Sequence, residues 1–156
     1  MKKYNYIYQS LIILISMAFF QSCSDSSVQN VEQSELIFNH NGIIEEVGGD
    51  CSAVQVRTRS FGEFELSDFS KLRFEFNGTS DADLSSISLF YFENEEIVYI
   101  VNLTNRDEIN STKNIEINSP GLSREIFSRV TLKSSVCTGQ VFYLSFKDLK
   151  IFAYRQ

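Results

Sequence analysis

Residues 62–78 read GEFELSDFSKLRFEFNG. Successive side chains of an extended strand project to opposite faces, so Leu72, Phe74 and Phe76 share one side and Arg73 and Glu75 the other. Phe64 and Leu66 alternate in the same way with Glu63 and Glu65, and residues 67–70 turn the chain between the two runs. A helix would repeat its apolar residues every three or four positions, and this stretch repeats every two. Asn77 and Gly78 supply the chemistry of a tight hairpin turn and are expected to close the second strand.

The same period extends outward. At 53–59, Val54, Val56 and Thr58 fall on one face and Gln55, Arg57 and Arg59 on the other, as in a half-buried strand. Residues 36–38 make a short apolar start, and Gly42 and the run Gly48, Gly49, Asp50 bracket a strand at 43–47. Residues 87–92 and 97–103 are apolar on both faces, so both are expected to run through the interior, with Asn94, Glu95 and Glu96 turning between them. Ile115 and Ile117 mark a short strand ended by Pro120 and Gly121. Ile126, Val130 and Leu132 alternate with Phe127, Arg129 and Thr131, and 141–146 and 149–154 read as a closing pair around Lys147 and Asp148. Many short strands with no helix-length periodic segment predict an all-β fold, a two-layer antiparallel β-sandwich.

Two segments, GEFELSDFSKLRFEFNG at 62–78 and FKDLKIFAY at 146–154, resemble the early and final strands of the galactose-binding-like jelly rolls, a group that includes many carbohydrate-binding modules. The resemblance implies a jelly roll that presents end loops or a sheet face to a ligand, commonly a sugar. The chain has no Trp, so stacking on a sugar ring would fall to Tyr91, Tyr99 and Tyr143, whose aromatic faces can cover its C–H surface. The resemblance also implies a structural calcium, for which Glu45, Glu46 and Asp148 are the ligands to examine. Surface charge is the simpler account of all three.

The N-terminus sets the address. Lys2 and Lys3 precede an apolar run, 11–20, broken only by Ser16 and followed by FFQSCSDSS. That run is shorter than the ~20 residues of a membrane span and has the parts of a secretory signal. Around Cys23 the chain resembles the lipobox of bacterial lipoproteins, in which the signal is cut before a lipidated cysteine. Residues 1–22 then form the signal peptide, 23–35 the acylated cysteine and a polar tether, and 36–156 a single β-sandwich domain. The resemblance implies a protein held by lipid in the cell envelope, at the outer membrane of a Gram-negative bacterium, since Ser24 and not Asp follows the cysteine. Net charge is −6, and cleavage removes two lysines, making the mature chain more acidic still. Nucleic acid is thereby excluded as a partner class, because phosphate binding needs concentrated basic charge.

With Cys23 assigned to lipid, Cys51 and Cys137 remain as a pair in an exported chain, where disulfides form and persist. A bond between them is expected; two free thiols are the alternative. Other chemistry is thin. Asp81, Asp83, Glu93, Glu95 and Glu96 could be calcium ligands or glycosidase carboxylates, and equally solvated loop charges. His40 stands alone, and no nucleophile elbow, phosphate loop or dinucleotide fingerprint is present. Arg57, Arg59, Arg73 and Arg129 could make an anion site, or ion pairs with Glu75 and Glu116. The expected protein is therefore not an enzyme and needs no cofactor beyond the calcium considered above. It is a lipid-anchored structural or protein-interaction module, or alternatively a glycan-binding module, with an envelope protein or a glycan as partner.

Overall fold

The computed structural model describes residues 33–155; the signal, Cys23 and most of the tether lie outside the described residues. Among these residues nine strands form two sheets: β1 (Ser34–Asn39), β2 (Ile43–Gly49), β3 (Gln55–Phe64), β4 (Phe69–Ser80), β5 (Ser86–Glu93), β6 (Glu96–Leu103), β7 (Ser111–Asn118), β8 (Arg124–Leu132) and β9 (Phe142–Arg155). Among the described residues one four-residue helix, α1 (Arg106–Ile109), is capped by the Asn105 side chain, which accepts from the Glu108 N–H. The first sheet runs β1-β9-β4-β7, with β2 pairing β9 beyond the end of β1; the second runs β3-β8-β5-β6. Every strand pairing is antiparallel, and the fold is the expected two-layer jelly-roll sandwich.

The alternation read at 72–76 is what closes the two layers on each other. Leu72, Phe74 and Phe76 of β4 are buried with Leu144, Phe146, Leu149 and Ile151 of β9 on one sheet, against Ile87, Leu89, Ile126, Val130 and Leu132 on the other. Phe76 and Phe146 meet edge to face with centroids 5.4 Å apart, the arrangement the ring quadrupole prefers.

Five local expectations are corrected. Asn77 and Gly78 do not end β4, which continues to Ser80, with Gly78 opposite Phe146. This glycine is required by packing and not by a turn: a Cβ there would stand 2.9 Å from both the Ile109 carbonyl oxygen and Ile87 Cδ1. Gly78→Ala is therefore expected to cost about 1–3 kcal/mol through overpacking, read as a lowered urea midpoint with unchanged slope. The expected closing pair is one strand, β9, which passes through Asp148 at φ 59° without reversing and pairs β1 and β2 on one side and β4 on the other. At 53–59 the expected half-buried strand has neither face buried, Arg57 and Arg59 being exposed as well. Val54 and Val56 are exposed, while Arg59 donates to the Ile44 carbonyl at 2.9 Å. β3 is the end strand of its sheet, so little of the other layer covers either of its faces. The strand at 97–103 is an edge strand, not an interior one. Finally, the tether stops short of Glu35, since Ser34 and Glu35 already pair with Tyr154 and Ala153 and Glu35 meets Arg155 at 2.8 Å.

The disulfide forms as expected. Cys51 and Cys137 are bonded, joining the loop after β2 to the loop before β9.

Candidate functional site

The outward face of the first sheet follows from the same period of two. Where Leu72, Phe74 and Phe76 point inward, Glu75, Asn77 and Thr79 point out, opposite Lys150, Lys147 and Ser145 of β9. Asn114 and Thr112 of β7 lie on their other side. Three shallow depressions on this face share residues. Thr79, Asp81, Asn110, Tyr143 and Ser145 line the first. The second adds Asn77, Thr112, Lys147 and Asp148, and the third reaches Glu75, Lys150 and Asn41. They form one trough, roughly 20 Å from Glu75 to Asp81 at the ~3.3 Å rise of a strand.

Its floor is held by hydrogen bonds. Thr112 Oγ1 donates to Asn77 Oδ1 at 2.7 Å, and Asn77 Nδ2 donates to Asp148 Oδ2 at 3.0 Å. Asp148 Oδ1 accepts from the Gly42 N–H at 2.8 Å. At the other end Asn110 imitates a strand, accepting from the Ser80 N–H at 2.5 Å and donating to the Ser80 carbonyl at 2.8 Å. Asp81 accepts from the Tyr143 N–H at 2.6 Å. These links fix the amide and carboxylate positions and leave the Thr79 and Ser145 hydroxyls and the two lysines on an open surface.

Tyr143 stands at the end of the trough, 55% exposed. Gly48 lies opposite it on β2, and a Cβ at Gly48 would come within 3.0 Å of Tyr143 Cε1. The ring therefore rests on bare backbone, with the rest of its surface free.

The Gly42 N–H is the largest cause holding the Asp148 carboxyl below its ordinary value, followed by the Asn77 amide, with Lys147 and Lys150 adding to it. A carboxyl depressed in the folded state stabilises above its unfolded pKa, and that contribution is lost as pH falls through the folded value. Acid destabilisation below the ordinary Asp value of 3.8 is thus expected to be weaker in Asp148→Asn, with lower stability at neutral pH. Asn tolerates the left-handed backbone at this position, so urea midpoints across the acid range isolate the charge.

The structure does not bring the three tyrosines together. Tyr91 and Tyr99 lie on the second sheet, Tyr91 partly covered by the Arg124 guanidinium 5.3 Å from its ring centroid and Tyr99 half-exposed on β6. The four arginines are likewise dispersed. Arg73 lies 4.4 Å over Phe152 and 3.2 Å from Glu75, Arg129 lies over Phe90, and Glu116 pairs with Lys71 at 4.0 Å. Asp83 receives the Ser135 N–H at 2.9 Å, and Glu93 meets Arg124 at 2.6 Å. His40 Nε2 contacts the Ile43 carbonyl at 3.2 Å. Glu45 and Glu46 sit on β2 opposite Phe146 and Ser145, and the groups bonded to the Asp148 carboxylate are the Gly42 N–H and the Asn77 amide. Among the described residues no three His, Cys, Asp or Glu side chains gather as a metal group, and no helix is long and apolar enough to cross a membrane. The amides of Asn77 and Asn110 are not legible as site residues in the sequence, where Asn77 carries the chemistry of a turn and Asn110 no signal of its own.

No protein-family model and no curated protein matches this chain. Among solved structures, a CBM4 structure aligns with TM-score 0.44 and 8% identity over 69% of this chain and 82% of that one. The VP2 subviral particle of infectious bursal disease virus aligns with TM-score 0.46 and 8% identity over 79% of this chain, which spans only 33% of that one. The carbohydrate-binding module CBM36, solved with calcium and xylotriose, aligns with TM-score 0.31 and 12% identity over 78% of this chain and 98% of that one. Likenesses of this depth carry no information about ligand or activity.

Proposed function

We propose that this chain is a non-catalytic glycan-binding module that lays an oligosaccharide along the outer trough of its first sheet. The observation that carries the reading is Tyr143, an exposed ring seated on Gly48 at the end of a floor of hydroxyls, amides and ammonium groups. A sugar chain needs that combination, a C–H platform and many donors and acceptors on an open surface. A protein partner would instead be expected to bury a central apolar patch, and the trough offers none. Cys23 carries the lipid in this proposal, and several acyl chains at about 0.8 kcal/mol per buried methylene would hold the module on the outer membrane. Loss of palmitate labelling and of membrane fractionation in Cys23→Ser tests the anchor.

The trough is tested by a glycan array and polysaccharide pull-down on the full chain. Saturable binding is expected, weakened about tenfold or more in Tyr143→Ala, a change equivalent to ~1.4 kcal/mol, and retained in Tyr91→Ala and Tyr99→Ala. No binding across broad panels, or binding lost in Tyr99→Ala and kept in Tyr143→Ala, would overturn it.

A further inference from the structure

We infer that Asp81 selects the sugar unit that stacks on Tyr143, a neutral unit held by its hydroxyls and not a uronate or sulfated one; the inference rests on the glycan reading of the trough. Asp81 is the first residue after β4, and it is tied to Tyr143 twice. Its N–H donates to the Tyr143 carbonyl at 3.2 Å, and its Oδ1 accepts from the Tyr143 N–H at 2.6 Å. The carboxylate stands in for the carbonyl of a neighbouring strand and is thereby held beside the platform. Its second oxygen, Oδ2, has no hydrogen-bond partner among the described residues, and neither do the hydroxyls of Thr79 and Ser145, which line the same depression.

An ionised carboxylate only accepts. With Oδ1 occupied, Oδ2 calls for an O–H from the ligand, and such a bond is charge-assisted and stronger than a neutral one. A pyranose laid with its C–H face on Tyr143 carries its hydroxyls around its edge, where Asp81, Thr79 and Ser145 stand. Charge around the platform acts in the same direction. Glu46 is exposed on β2 opposite Ser145, so Asp81 and Glu46 flank the start of β9 from its two sides. The trough's lysines are at the other end, with Asp148 between them: Lys147 lies four residues beyond Tyr143 and Lys150 further still. Four residues span about 13 Å at the ~3.3 Å rise of a strand, more than the ~8 Å over which exposed charges act at physiological salt. An anionic sugar on Tyr143 would set its charge beside two carboxylates.

An array of neutral, uronate and sulfated oligosaccharides tests this on the full chain, with mannan and polymannuronate tetramers, which differ only in a hydroxymethyl against a carboxylate, as a matched pair. The wild type is expected to retain neutral chains alone. Asp81→Asn keeps an Oδ1 for the Tyr143 N–H and puts a donor where the free acceptor was. It is expected to leave the urea midpoint unchanged and to weaken binding of the retained neutral chains about tenfold or more. Adding Glu46→Gln, at an exposed position, is expected to let uronate chains bind. Wild-type hits that include uronate or sulfated homopolymers overturn the inference. So does neutral binding that survives Asp81→Asn and is lost in Tyr143→Ala, a result that leaves the platform standing. Failure of the wild type to bind any chain overturns the glycan reading itself, and this inference with it.

Discussion

Replacing Cys51 and Cys137 together by serine is expected to lower the free energy of unfolding by about 4–5 kcal/mol, the largest effect of any change away from the core. The two residues are separated by 86 positions, so the bond closes a loop holding more than half of the strands. In the chain-entropy account it acts by restricting the unfolded ensemble, and the cost of closure grows only logarithmically with loop length. Urea unfolding of the oxidised wild type against the double variant measures the difference, and the wild type with reductant should follow the variant. A difference below about 1 kcal/mol would show that the reduced chain already holds the two loops together, so that the entropic account fails here. The loss has a local consequence as well. Gly49 pairs with Phe142 and Gly48 with Tyr143, so the bond lies just past the end of β2 where the Tyr143 platform is built. Glycan affinity in the double variant is expected to fall even under conditions in which the chain remains folded.

Phe146→Ala is expected to cost about 3–5 kcal/mol, as deletion of a fully buried aromatic usually does. Its ring is 0% exposed and packs on Phe76 in the middle of β9, which contacts β1, β2 and β4. Little can collapse into the space, because the flanking positions are held by ladders on both sides. Tyr143→Ala on the same strand provides the contrast. Its ring is mostly in water, and its loss should change stability by no more than about 0.5 kcal/mol. Chemical denaturation of the two variants side by side checks both numbers. It also certifies that any loss of sugar binding in Tyr143→Ala comes from the ligand contact and not from unfolding.

Where local chemistry decided the outcome, the residues could be read directly. The alternation at 72–76 told which side of β4 is buried, and the hairpin between Glu93 and Glu96 was visible from Asn94 and its neighbours. There Asn94 and Glu95 take φ of 50° and 67°, the positive values that a two-residue hairpin with matching twist demands. The same rules misread Asn77–Gly78, because a glycine required by a neighbour's approach looks in sequence like a glycine required by a turn. They missed the passage through 147–148 for a related reason. A polar pair between two apolar runs is compatible with a reversal or with a bulge, and only the partners on either side select the bulge. Of the candidate site, Tyr143 was legible as one of three tyrosines able to stack on a sugar ring. Its companions were not, since Asn77 acquires its meaning from Thr112 and Asp148 and Asn110 from Ser80, all distant in sequence.

By itself, then, the amino-acid order determined the class of fold, the inward face of the central strands and the pairing of Cys51 with Cys137, since period, turn chemistry and cysteine count are properties of neighbours along the chain or of composition. Tertiary structure alone decided that Val54 and Val56 face water, that the apolar 97–103 stands at an edge, and that one tyrosine of three overlooks a polar trough. Those outcomes depend on strand order and register, which are set by the joint burial of segments far apart in the chain. An individual strand carries its own alternation and no record of what will lie beside it.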